Sequence, residues 1–128
     1  MIWTFGQVAL GGAIGASLRF GVGVAVARVL PLGTSGFPVA VLLCNVVGSA
    51  LMGAFVTLSA ARGLTHLAPL LMTGLLGGFT TFSSFSLEAV TLWERGATGQ
   101  AALYVGISLG LSLLGLVLGA ALMRGALA

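Results

Sequence analysis

The side chains able to do chemistry in this chain are few, and they recur at helical spacing. Residues 77–88 read GGFTTFSSFSLE: two glycines, then Thr80, Thr81, Ser83, Ser84 and Ser86 interleaved with Phe79, Phe82 and Phe85, ending at Glu88. At about 100° per residue, Thr81, Ser84, Phe85 and Glu88 share one helix face, with Phe82 at its margin. Asn45, Gly48, Ser49 and Met52 fall on a second stripe. Tyr104, Ser108 and Ser112 succeed one another every four residues, a hydroxyl track of about 12 Å at 1.5 Å per residue.

Hydroxyl and amide groups donate hydrogen bonds, and an aromatic ring has a positive edge and a negative face. Rings presented edge-on beside such donors suit a small anion and repel a cation in the ring plane. Each feature also has a packing reading. Asn45 can be glue between helices, a serine can bond back to the carbonyl four residues earlier, and Phe82 with Phe85 can be core. Cys44 is the single cysteine, which excludes an internal disulfide or a thiolate metal cluster and leaves it as small apolar filler. His66 stands in a loop without a second ligand nearby. No phosphate-binding loop or catalytic triad is present, so an enzyme is the least favoured class.

The elements that must position these groups are set by the solvent. Of 128 residues 59% are hydrophobic and 5% charged, with a mean hydropathy of +1.20; soluble domains carry roughly 25% charge. The chain reads as an all-α integral membrane protein, one domain over residues 1–128. Four apolar segments, about 3–29, 38–60, 67–92 and 100–123, each exceed the roughly 20 residues that cross the hydrocarbon core. Pro31, Gly33, Thr34, Gly36 and Pro38 close the first, Arg62 and Gly63 the second, and Arg95, Gly96 and Gly99 the third. The first segment lacks a basic start and is longer than a signal's apolar region, so it is expected to be retained.

Charge placement leaves orientation open. With four crossings, Arg62 and Arg124 fall on the side of the N-terminus and Arg28 and Arg95 on the other. Orientation is normally set by an excess of Lys and Arg on the cytoplasmic side, and here the sides balance. The chain either inserts both ways or is tipped by a minor signal such as the amino terminus. Four helices are few for a pore, so an oligomer is expected, and two-fold dimers are the commonest kind.

Gly11, Gly15 and Arg19 repeat every four residues with Gly12 and Ala16 beside them, a small-residue face that predicts close helix packing. Arg19, inside an apolar segment, is read as lining a vestibule with Glu88, or as snorkelling to the interface. Gly77–Gly78 followed by Thr80 and Thr81 marks a place where the third helix can break in mid-membrane. Such backbone is tolerated at that depth only when buried in protein or lining a cavity.

The runs GLLGGFTTFSSFSLE (74–88), GGAIGASLRF (11–20) and CNVVGSALMG (44–53) together closely resemble the small Fluc/CrcB fluoride channels, in order along all four helices. That resemblance implies an antiparallel, dual-topology homodimer in the bacterial inner membrane that exports fluoride passively through two pores, lowering its cytoplasmic concentration. It implies that Phe82 and Phe85 are the pore-lining ring pair, that Asn45 reaches toward fluoride, and that Tyr104, Ser108 and Ser112 supply the hydroxyl track, with Thr81 and Ser84 on the ring face. It further implies a structural sodium ion at the dimer centre held by the backbone carbonyls of Gly77 and Thr80 from each subunit. Neither an organic cofactor nor nucleic acid is implied.

Two positions depart from the family pattern. Ala40–Val41 stands where many members have Gly-Thr, and Ser84 where threonine is frequent. Two other functions compete. A proton-coupled small multidrug exporter needs a carboxylate within the membrane, typically in the first helix, yet residues 1–30 contain no Asp or Glu. A structural subunit would use the polar stripes only as glue and would move no ions.

Overall fold

The computed structural model describes residues 1–30 and 36–128. Expected breakers Pro31, Gly33 and Thr34 lie outside the described residues. The chain is all-helical, with four helices long and apolar enough to cross a membrane: Ile2–Val29, Val39–Arg62, Thr65–Glu94 and Thr98–Leu127. These match the four apolar segments, each helix running a few residues past the hydrophobic stretch at one or both ends.

The ends of the helices follow from their capping residues. The second closes on Gly63 in the left-handed conformation, with the Leu64 N–H bonded to Ser59 O at 3.1 Å. The third closes on Gly96, where the Ala97 N–H reaches Leu92 O at 3.0 Å. Both are bonds from the residue after the glycine to a carbonyl five back, which satisfies an orphan acceptor at the helix end.

Helix pairing depends on small residues. Gly11 and Gly15 of the first helix are buried against the start of the third, as the four-residue repeat predicts. Gly53 on the second and Gly119 on the fourth bring those two backbones together: a Cβ at Gly53 would meet Leu116 O, and one at Gly119 would meet Ala50 O. In lipid, where apolar side chains gain little by leaving their surroundings, such close backbone approach drives association.

The third helix changes partner along its length. Its upstream part starts with a 3-10 turn at Thr65–Leu67, and the wide π-type turns at Pro69–Leu76 and the α turn at Gly77–Phe79 that follow pack on the first helix. Its downstream part, Phe82–Glu94, packs on the fourth. Between them Thr80 (φ −87°, ψ 157°) and Thr81 (φ −154°, ψ 120°) are extended. The break therefore lies at Thr80–Thr81, a little past the glycine pair on which it was expected. Gly77 is ordinary right-handed helix, φ −64° and ψ −36°.

Gly78 has a different task. A Cβ there would meet Gly12 O at 2.7 Å and Gly12 Cα at 3.1 Å, backbone atoms that cannot move aside. The glycine keeps the two helices in contact immediately before the break. The π-type turns, marked by the Gly77 N–H bonding Met72 O five residues back, carry no hydropathy or spacing signature and were not foreseen. Such turns are frequent at functional sites.

A small core of Phe85, Leu92, Ala101 and Tyr104 joins the downstream half-helix to the fourth helix, with Phe37, Val41 and Leu42 packed against it. Elsewhere the helices present apolar surface outward, with Phe82, Leu113 and Leu122 each at least 70% exposed.

Candidate functional site

The break is held open by the second helix. Asn45 Oδ1 accepts the Thr81 N–H at 2.7 Å, while Asn45 Nδ2 donates to Thr81 O at 3.1 Å. Thr81 then starts the downstream half-helix: its Oγ1 accepts the Ser84 N–H at 3.2 Å and donates to Ser84 Oγ at 3.2 Å. A threonine that caps with its own hydroxyl is a common helix start. The Thr-x-x-Ser run at 81–84 is the sequence signal of such a cap.

Two backbone acceptors lose their helical donors as a result. In a continuous helix the Thr81 N–H would bond Gly77 O and the Ser84 N–H would bond Thr80 O. Both donors are diverted, the first to the Asn45 side chain and the second to the Thr81 hydroxyl. Gly78 O is reached from the first helix by Arg19 Nε at 3.2 Å. Arg19 is half-buried, its Nε tied to the backbone just before the break. It also lines a second cleft of about 380 Å³ with Phe20, Ala40, Val41 and Cys44.

Beside the break lies a cleft of about 390 Å³. Asn45, Thr80, Thr81, Phe82, Phe85, Ser108 and Ser112 line it, and so do Gly48, Ser49 and Met52 of the Asn45 stripe. Its remaining wall is Leu109, Leu113 and Leu116 of the fourth helix. The cleft thus gathers residues from all three helical stripes, although Ser84, Glu88 and Tyr104 of those stripes are not in its lining. Gly48 is small because Thr80 sits over it: a Cβ there would press on the Thr80 methyl.

The two rings touch, with centroids 5.4 Å apart and planes tilted by 49°. They differ in exposure: Phe85 is 9% exposed and Phe82 74%. Behind Phe85 lies Tyr104, centroid to centroid 5.4 Å. Tyr104 does not face the cleft itself but is wholly buried beneath it. Glu88, on the next turn after Phe85, is half-buried.

Tyr104 Oη and Ser108 Oγ are both buried one helical turn apart and interact with each other, but among the described residues neither makes a hydrogen bond of good geometry. A hydroxyl on a helix has a carbonyl four residues back within reach, and Ser17, Thr57, Thr80 and Ser86 all use it. Ser108 does not. Leaving such a group unpaired in an apolar interior costs about 1–3 kcal/mol, so buried polar groups are ordinarily satisfied. Two neighbouring orphan donors mark a place where a ligand with acceptor capacity fits.

Comparison with known sequences places the chain at this point. The family model described as CrcB-like protein, Camphor Resistance (CrcB), matches residues 7–120. The chain belongs to the CrcB-like family. A protein named fluoride-specific ion channel FluC from Ruegeria sp. (strain TM1040) is 65% identical over 127 residues, 99% of either chain. The protein of the same name from Roseobacter denitrificans is 61% identical over 118 residues, 92% of this chain and 93% of its own. That from Paracoccus denitrificans is 49% identical over 122 residues, 95% of each. The family assignment drawn from residues 11–20, 44–53 and 74–88 holds over nearly the full length.

Proposed function

We propose that this protein is a fluoride-selective passive channel of the bacterial inner membrane, working as an antiparallel, dual-topology homodimer with two pores. It is a channel and not an enzyme. The observation that carries the reading is the pair of buried, unpartnered hydroxyls of Tyr104 and Ser108 beside the ring-lined cleft, in a chain 65% identical to a named fluoride channel.

Fluoride is small and strongly hydrated, and a bare ion of that kind in low dielectric costs tens of kcal/mol. Replacement donors are needed along the whole path. Ser108 and Ser112 offer hydroxyls at the cleft wall, the Ser84 hydroxyl stands one step behind, since Thr81 Oγ1 spends its proton on Ser84 Oγ, Asn45 retains one amide hydrogen beyond the one given to Thr81 O, and Phe82 and Phe85 offer ring edges. Neutral donors bind weakly enough to let an ion move on, as conduction requires. Arg19 and Glu88 stand at the margins of this path, in the vestibule.

One subunit supplies half of the enclosure. Phe82 and the leucine wall of the cleft are exposed, which fits closure by a second copy. Balanced arginines on the two sides support a two-fold axis in the membrane plane, the inverted symmetry that many transport proteins build from repeats.

The carbonyls of Gly77 and Thr80 fit a structural sodium ion, since both have lost their helical donors and a hard cation takes oxygen ligands. Sodium there would supply the positive charge those acceptors lack. The pairing of Asn45 with Thr81 frees the Gly77 carbonyl, and the Thr81 cap frees that of Thr80.

Efflux from liposomes containing the purified protein alone, with fluoride or chloride at equal gradients and no proton gradient, tests the proposal. Fluoride efflux without chloride efflux is the expected result. Absence of both would leave a structural subunit, and efflux only under a proton gradient would favour an exporter.

A further inference from the structure

Beyond the residues of the cleft, the aromatic array has a fourth member contributed by the start of the second helix. Phe37 meets Tyr104 edge-to-face, with centroids 5.7 Å apart and planes at 86°. Phe85 lies against the same tyrosine at 5.4 Å and 40°. Tyr104 is thus held between two rings, one edge-to-face and one tilted, and is 0% exposed.

Phe37 is itself rigidly presented. Pro38 has φ −83° and ψ 66°, and the Val39 N–H bonds Phe37 O at 2.9 Å, which together form an inverse γ-turn. The proline ring presets its φ, and Pro38 is buried. On the other side Gly36 takes φ +59°, a left-handed conformation natural to glycine. Three consecutive residues, Gly-Phe-Pro, therefore fold into a device that turns one ring inward at the head of the second helix.

The tyrosine it meets needs such a device. A buried tyrosine ordinarily directs its O–H to a partner, and Tyr104 Oη has none. Left to itself the ring would turn until the hydroxyl found water or a carbonyl. Contact on two sides removes that freedom.

We propose that Phe37 is a positioning residue of the anion path: it clamps Tyr104 so that its unpartnered hydroxyl stays available beside Ser108. Phe37 touches no ion. It acts by preorganisation, so that the donor need not be reoriented when an anion arrives. This inference rests on the reading of the protein as a fluoride channel.

The test is fluoride efflux as a function of fluoride concentration for the wild-type protein, Phe37→Leu, Phe37→Met and Phe37→Tyr, each reconstituted as the purified dimer. A merely structural role would lower the number of active channels and leave the half-saturating concentration unchanged. The clamp requires that concentration to rise roughly ten-fold in the Leu variant, the scale of one weakened hydrogen bond. Phe37→Met keeps volume and apolarity without a rigid ring edge and serves if the Leu variant fails to assemble. Phe37→Tyr, which keeps the edge, restores the wild-type value.

Tyr104 is the only tyrosine in the chain, so fluorotyrosine labelling yields one protein fluorine NMR signal. That signal should move saturably with added sodium fluoride in the wild type and respond only at higher concentration in Phe37→Leu. An unchanged half-saturating concentration and an unchanged NMR titration in the Leu or Met variant would overturn the clamp while leaving the channel reading intact. A wild-type protein that carries no fluoride would overturn both.

Discussion

Asn45 and Thr81 are paired through both edges of one side-chain amide, Oδ1 accepting the Thr81 N–H at 2.7 Å and Nδ2 donating to Thr81 O at 3.1 Å. The arrangement copies the two bonds a neighbouring strand would make to an extended residue. A single asparagine thereby satisfies both backbone groups of the extended Thr81, and it keeps one unused amide hydrogen on a residue that lines the cleft.

Asn45→Asp keeps the acceptor for the Thr81 N–H, loses the donor to Thr81 O and adds a negative charge beside the path. Fluoride efflux should fall by at least roughly ten-fold, with a stability loss of about 1–3 kcal/mol from the unpaired Thr81 carbonyl. Liposome efflux together with thermal melting followed by size exclusion measures both. Normal efflux would reduce Asn45 to helix glue.

Phe82→Ile and Phe85→Ile separate chemistry from packing. Both remove a ring edge, and both should reduce fluoride flux by about ten-fold or more, on the scale of one lost preorganised interaction. Phe85 is 9% exposed and Phe82 74%, so only the Phe85 change should lower melting of the subunit core, by about 1–3 kcal/mol. Undiminished flux in both variants would remove the ring edges from the mechanism.

Ser108→Ala has opposite signs in the two assays. The hydroxyl is buried and unpartnered, so its removal should leave stability unchanged or raise it by up to about 1 kcal/mol. Fluoride flux should fall. A melting temperature that drops instead would mean that Ser108 has a structural partner in the assembled dimer.

Gly78→Ala tests the contact before the break. Its Cβ would lie 2.7 Å from Gly12 O, and since neither backbone can yield, a cost of about 1–3 kcal/mol is expected from overpacking. Yield of monodisperse protein on size exclusion should collapse relative to Gly6→Ala, where the added Cβ meets nothing.

For the proposed dimer with sodium held by the Gly77 and Thr80 carbonyls, replacing sodium by N-methylglucamine throughout purification should weaken assembly, since a bulky organic cation cannot take the place of a small hard cation among oxygen ligands. Dimer fraction against sodium concentration, read by cross-linking in detergent, measures it. A dimer fraction independent of sodium would exclude a structural role for the ion.

Particular residues show how far the sequence could be read. The four helices were legible because hydrocarbon leaves no alternative for an apolar segment of that length. Spacing of three and four puts Asn45, Thr81, Phe85, Ser108 and Ser112 on polar or aromatic helix faces, and the structure brings all five to the wall of one cleft. The position of the break was read a little early, on Gly77–Gly78, because glycine is the usual punctuation. The actual break needs an acceptor and a donor from another helix, and no local pattern records that Asn45 would lie opposite Thr81.

What the sequence determined by itself, then, was the solvent, the number of crossings and the faces on which donors and rings stand, since all of these follow from hydropathy and helical period. Tertiary structure alone decided which donors remain free. Ser86 and Thr80 bond back to their own helices while Ser108 and Tyr104 do not, and Phe37, far from the ring motif in sequence, closes on Tyr104. Hydrogen-bond satisfaction is a property of the surroundings in three dimensions, and identical hydroxyls at identical spacing acquire different chemistry from the neighbours the fold brings to them.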